Sequence, residues 1–234
     1  MFNYEKRLQY PINITQKNPQ AAAFIISQYG GPDGELGASL RYLSQRYTMP
    51  YREVAGLLTD IAVEELSHLE MVSTIVYQLT DGLSPEEIKA AGFDKYFVDH
   101  TLAVDPQAAA GFPYTAASFQ SKGDTITDLY EDMAAEQKAR TTYDNILRMI
   151  KDPDIIDPIR FLRAREVVHF QRFGEALRIA TDRLNEKNFY AINPEFDLPS
   201  GSAKTDFNCP KKQPRPMIPP SDMNMPCCDK NKLH

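Results

Sequence analysis

Apolar residues recur along this chain at helical steps, with no sustained alternation of the kind a strand requires. From Tyr51 to about Leu79, Val54, Leu57, Leu58, Ile61, Leu66, Leu69, Val72, Ile75 and Val76 follow one another at three- and four-residue intervals, the pattern of an amphipathic helix with a broad buried face. The same period holds from Asn18 to about Thr48, where Pro19 suits a first helical turn. There the run Tyr29–Glu35 (YGGPDGE) interrupts it with three glycines and a proline. The expectation is a short helix, a kink and a second helix from about Pro32. A further pair covers about Asp124–Lys151 and, after Lys151–Pro158 (KDPDIIDP), about Asp154–Asn185.

Residues 80–122 separate the two pairs. They contain one short helical signal, with Ser84 as N-cap, Pro85 at the first helical position, Glu87 set for a capping box and Gly92 as the stop. Two long helices, a crossover of about 43 residues and two more long helices predict an all-α fold, a ferritin-like four-helix bundle with one long crossover. The segment 188–234 holds 8 of the 17 prolines and reads as an extended tail unable to bury a core of its own. The expected organisation is therefore a helical domain over 1–187 and a Pro-rich C-terminal tail over 188–234.

Composition narrows the function classes. A formal charge of −6 and a pI near 5.3 argue against a nucleic-acid partner, which requires clustered Lys and Arg. The basic run Cys209–Pro216 (CPKKQPRP) does not change this, because from residue 188 onward six Lys/Arg face five Asp/Glu. The N-terminus lacks an apolar core after its charges, and the early run Ala21–Ile26 is too short to cross a bilayer, so neither a signal peptide nor a membrane span is expected. All three cysteines, Cys209, Cys227 and Cys228, fall in the last 26 residues, so the core is built without thiols, as suits a reducing compartment. Cys227 and Cys228 are adjacent, which rules out a Cys-x-x-Cys iron centre but leaves thiols able to cross-link neighbouring chains.

Against this background two short stretches stand out. Val63–Met71 (VEELSHLEM) carries Glu65 and His68 three residues apart, and Arg165–Phe173 (REVVHFQRF) does the same with Glu166 and His169. Residues three apart on a helix lie roughly 60° from each other, so each pair can offer a carboxylate and an imidazole to one ion. One Glu-x-x-His is weak, since a surface acid beside a buried histidine gives the same pattern. Two copies are stronger: Glu65 to Glu166 and His68 to His169 are both 101 residues. A bundle that holds two metals also needs a glutamate from each remaining helix, and Glu35 and Glu136 each lie 30 residues before their Glu-x-x-His pair. Tyr42 and Tyr143 each follow that glutamate by seven residues, two turns along the same face. The chain thus reads as a duplicated helix pair.

Four glutamates and two histidines inside a dry bundle would carry a large desolvation cost as bare groups, and two divalent cations would neutralise them. Carboxylates with one imidazole per ion suit manganese or iron, whereas the thiol-free core argues against structural zinc and iron–sulfur clusters. Two redox-active ions sharing a bridging carboxylate suit peroxide or dioxygen chemistry. His100 lacks a Glu or His at ligand spacing and is expected to be structural or exposed; His234 is the chain end. Glu64 and Glu70 flank the first pair, but Arg165 and Gln171 stand at the matching places in the second, so solvated or ion-paired surface roles are expected for both.

At these residues the sequence resembles the manganese catalases, in particular the subgroup of bacterial spore coats. The likeness is carried by Gln28–Pro50, Gly56–Thr80, Asp128–Tyr143 and Arg160–Phe173 and spans roughly residues 1–185. It implies an oligomeric enzyme of the spore coat or cytoplasm that disproportionates hydrogen peroxide with two manganese ions per chain, in contact with other coat proteins. Matched motif by motif, it implies Glu35 and His68 on one manganese, Glu136 and His169 on the other, Glu65 as the bridge, and Glu166 as the general acid and base. Tyr42 is then a phenol bonded to a ligand carboxylate or a core tyrosine with a satisfied hydroxyl. The competing readings are a di-iron ferroxidase or peroxidase on the same bundle, and a coat protein selected for assembly that keeps the fold.

Overall fold

The computed structural model of the protein describes residues 4, 5, 7–96 and 104–186. Internal packing divides the chain into Arg7–Ile192 and a second unit formed by Met1–Lys6 with Asn193–His234, and every helix below belongs to the first. His100, the three cysteines, His234 and the Pro-rich tail lie outside the described residues.

The helices are α1 (Pro19–Gly30), α2 (Glu35–Gln45), α3 (Arg52–Thr80), α4 (Pro85–Ala90), α5 (Thr125–Met149) and α6 (Pro153–Glu186). The ferritin-like four-helix bundle forms as expected: α1 and α2 make one kinked arm, α3, α5 and α6 make the other three, and the crossover carries α4 and two single-turn 3-10 segments. Among the described residues there is no strand, only an isolated bridge between Gln107 and Pro113, and no helix is long and apolar enough to cross a membrane.

The boundaries follow from local chemistry. Asn18 caps α1 by accepting from Ala21 N–H, and Asp124 caps α5 by accepting from Thr127 N–H. Ser84 and Glu87 complete the capping box of α4. Such caps contribute on the order of 1 kcal/mol each. One limit differs from expectation, the start of α2, while α6 begins within a residue of it. Helix α2 starts at Glu35 rather than Pro32, because a turn closed by Gly34 N–H donating to Gly31 C=O comes first. Helix α6 starts at Pro153 and takes in Pro158; the Asp152 carboxylate accepts from Asp154 N–H at 3.0 Å, and Pro153 fits the first turn. Pro158 then forfeits one backbone bond near the helix start, where disruption is least.

The glycine-rich kink is a packing requirement. A Cβ on Gly30 would lie 2.2 Å from the carbonyl carbon of Pro106 in the crossover and 2.4 Å from Gln107 N. Backbone on both sides leaves no flexible atom to yield. Gly30→Ala should therefore destabilise the bundle by about 1–3 kcal/mol, read as a lower melting temperature at roughly 2–4 °C per kcal/mol. An unchanged melting temperature would show that the crossover can withdraw without cost.

Two apolar clusters fill the bundle, and they are separated. Along α3, Val54, Leu58, Ile61 and Ala62 serve one cluster while Met71, Val72, Ile75, Val76 and Leu79 serve the other. The buried positions between them are Glu65 and His68. Along α6, Ile155, Ile159 and Leu162 serve one cluster and Phe173, Ala176 and Ala180 the other, again with Glu166 and His169 between. Burying each large aliphatic side chain contributes about 1.5–3 kcal/mol, so the clusters stabilise the bundle while the layer between them costs free energy. A polar layer held in place by apolar packing on both sides points to a site.

Candidate metal centre

Helix α2 supplies Glu35 and Tyr42 to this layer, α3 supplies Glu65 and His68, α5 supplies Glu136 and Tyr143, and α6 supplies Glu166 and His169. None of the six acids and histidines is more than 2% exposed. Glu65 lies at the middle, with Oε2 2.7 Å from Nδ1 of His68 and Oε1 2.6 Å from Nδ1 of His169. Each Nδ1 also faces a second carboxylate: His68 is 3.8 Å from Glu35 Oε2, and His169 is 3.7 Å from Glu136 Oε2. The two imidazoles are stacked at 5.5 Å between centroids, 24° apart. The sequence duplication has become two half-sites that meet at Glu65.

The tyrosines cross between the halves. Tyr42 donates to Glu136 Oε1 at 2.5 Å, and Tyr143 donates to Glu35 Oε1. Each phenol thus fixes the outer glutamate of the opposite half, leaving one carboxylate oxygen directed inward. Tyr143 had been visible only as the repeat equivalent of Tyr42; that its bond runs to the other half follows from how the helix pairs face each other.

The electrostatics show how much charge is crowded here. Burial first, and then the charge of Glu65, hold the Glu35 carboxyl well above the ordinary carboxylate range and raise that of Glu136. Burial, Glu35 and Glu136 do the same to Glu166. Burial would also push Glu65 up, but the imidazoles of His169 and His68 bring it well below its usual value. Burial works against a charged His68, yet Glu65 and its neighbours push it up to about 9, and the same balance places His169 well above the ordinary range. Charge crowded in this way is what divalent ions held between the carboxylates and imidazoles would offset.

The donor atoms fit such ions. Glu65, His68, Glu166 and His169 each offer one ligand atom within 4.8 Å of the others. Glu65 Oε1, Glu136 Oε2, Glu166 Oε1 and His169 Nδ1 are buried without an aligned hydrogen-bond partner, an arrangement that is costly unless something binds there. Glu166, the residue the resemblance sets apart from the ligands, is inside this group. It also lines a pocket of about 240 Å³, part of it open to solvent, together with Glu35, Glu136, Arg41 and Tyr42. Asp33 also lines the pocket and lies 3.1 Å from Lys138 Nζ.

Sequence reasoning missed several groups around the layer. Arg41, Gln45 and Asp132 are buried beside it; Arg41 donates to Ser118 C=O at 2.9 Å, and burial holds the Asp132 carboxyl well above its usual range. Glu64 was expected to be solvated or ion-paired at the surface. It is ion-paired, with Arg165 at 2.7 Å, but it is only about 20% exposed and its other oxygen lies 3.0 Å from Nε2 of His169. Its spacing of four from His68 was the available signal.

A family model described as manganese containing catalase matches residues 1–190. Protein CotJC of Bacillus subtilis strain 168 is 51% identical over 190 residues, covering 81% of this chain and all of that protein. A probable manganese catalase of Clostridium acetobutylicum is 33% identical over 191 residues, covering 81% of this chain and 85% of its own. Among solved structures, KatB, a manganese catalase from Anabaena PCC7120, superposes with a TM-score of 0.72 at 31% identity, covering 77% of this chain and 81% of its own.

Proposed function

The chain belongs to the manganese catalase family, and we propose that it disproportionates hydrogen peroxide to water and dioxygen with two manganese ions held by Glu35, Glu65, His68, Glu136 and His169. The observation that carries this reading is the pair of buried Nδ1 atoms facing Glu65 from opposite sides, each with a further glutamate at 3.7–3.8 Å. Two manganese ions held there would supply a store for the two electrons that one peroxide gives up and the next takes.

The chain's own residues do the rest. Oxidising one peroxide to dioxygen sheds two protons, and reducing the next to two waters consumes two. Glu166, which lines the pocket, can take up one of the two protons in the first half-reaction and return it in the second, while the other is exchanged with solvent through the pocket. Tyr42 and Tyr143 hold the outer glutamates in position, and the apolar clusters on either side restrict water to the pocket. The likeness to the spore-coat subgroup, carried by the motifs of residues 28–50, 56–80, 128–143 and 160–173, supports work at the coat as a homo-oligomer among other coat proteins.

The same donors would accept iron, so the test has two parts. Protein purified from its native source should contain about two manganese ions per chain and evolve dioxygen from peroxide. Protein loaded chiefly with iron, with ferroxidase activity and no dioxygen release, would overturn the proposal.

A further inference from the structure

Each histidine of the layer has two ring nitrogens, and only one of them faces Glu65. The other, Nε2, points outward in both rings, toward the same residue. Glu64 Oε2 is 3.0 Å from Nε2 of His169, and Glu64 Oε1 is 3.7 Å from Nε2 of His68. A neutral imidazole that offers a lone pair from Nδ1 carries its proton on Nε2, and that N–H needs an acceptor. Glu64 is held in place for this. Arg165 donates to both of its oxygens, Nε to Oε1 at 2.7 Å and Nη2 to Oε2 at 3.1 Å, and Gln9 donates to Oε1 at 2.8 Å.

The duplication explains why one carboxylate serves two rings. Arg165 is the repeat equivalent of Glu64, 101 residues on, and the two side chains meet across the boundary between the half-sites. Positions equivalent in the repeat face each other there, so a glutamate at both would place two carboxylates in contact. With glutamate on α3 and arginine on α6, the repulsion becomes a bidentate ion pair, and one carboxylate remains within reach of both imidazoles.

We infer that Glu64, clamped by Arg165, is a positioning residue for both half-sites, accepting from Nε2 of His169 and lying next to Nε2 of His68 so that both Nδ1 atoms are directed at the ions. The inference rests on the metal reading above. The device is asymmetric, because 3.0 Å is a hydrogen bond and 3.7 Å is not, so the His169 half depends on it more. Glu64 itself faces the Nε2 atoms, the ring nitrogens turned away from Glu65.

The test is a manganese(II) titration of the full chain against a competing chelator, with electron paramagnetic resonance to distinguish coupled from isolated ions. Removing a partner of a ligand histidine typically costs about 10–100-fold in metal affinity. Glu64→Ala should weaken binding in that range and yield, at intermediate manganese, chains with the hyperfine spectrum of an isolated ion where the wild type shows a coupled pair. Glu64→Gln keeps an oxygen that can accept from Nε2 and should recover part of the affinity. A residue that merely supports the fold would change the melting temperature without separating the ions or being rescued by glutamine. If Glu64→Ala binds two coupled ions with wild-type affinity, the positioning role is wrong and the metal reading stands. If the wild type binds no manganese, the metal reading fails, and this inference with it.

Discussion

His169→Ala should leave a helical protein that can no longer hold a full complement of manganese and evolves almost no dioxygen. The side chain is fully buried, and its Nδ1 lies 2.6 Å from Glu65 and 3.7 Å from Glu136, so alanine removes the only imidazole of that half-site. What remains there is carboxylate alone. Replacing a mere partner of a ligand costs about 10–100-fold in affinity, and losing the ligand itself should cost more. Activity should fall further than occupancy, because a store for two electrons requires both ions in the same chain. The fold should survive, since the apolar clusters on either side make their contacts without the site. Elemental analysis after dialysis against a chelator, an oxygen electrode and circular dichroism read these three quantities. His68→Ala should behave alike, because duplication gives His68 the same place in the other half. A fully loaded, fully active His169→Ala protein would show that the ligand set is misassigned.

That the buried layer of glutamates and histidines could be picked out from the sequence at all is a consequence of two periods. The helical period places residues three apart on one face, and the 101-residue repeat marks which of the many glutamates have a partner. Comparing the halves finds what they share and passes over what they must not share. Glu64 was set aside because Arg165 occupies its equivalent position, yet that difference is what lets the two side chains pair where the halves meet. Arg41 and Asp132 were passed over for a related reason: their repeat equivalents are Thr142 and Gly31, so no symmetry marks them. Their places on the helices bring them beside the layer, Asp132 one turn before Glu136 on α5 and Arg41 next to Tyr42 on α2. Likewise the glycines at Tyr29–Glu35 announced a kink, but their reason, the approach of the crossover backbone to Gly30, is a contact 76 residues away in sequence at Pro106 and invisible to local patterning.

Glu166→Gln should separate binding from chemistry. With Glu35, Glu65, His68, Glu136 and His169 as ligands, each ion would be held by one histidine, one outer glutamate and Glu65, which would leave Glu166 without a ligand's task. Its placement suits another task, because it lines, with residues of α2 and α5, a pocket partly open to solvent, while offering a donor atom to the cluster. Two protons leave one peroxide and two enter the next, so a carboxyl that takes one of them and gives it back at the same place halves the protons each turnover must exchange with solvent. Glutamine keeps the size and the hydrogen-bonding reach but cannot accept a proton. General acid–base groups contribute on the order of 10²–10⁴-fold in rate, and turnover should fall by about that range while manganese content stays near the wild-type value. The measurement must report both quantities on one preparation, because Glu166 contributes to the set of donor atoms lying within 4.8 Å of one another and is close enough to ligate. Should the variant lose one ion in proportion to its lost activity, Glu166 is a sixth ligand, and the centre is closer to the six-residue carboxylate pattern of di-iron bundles than to the five-ligand site with a separate proton carrier.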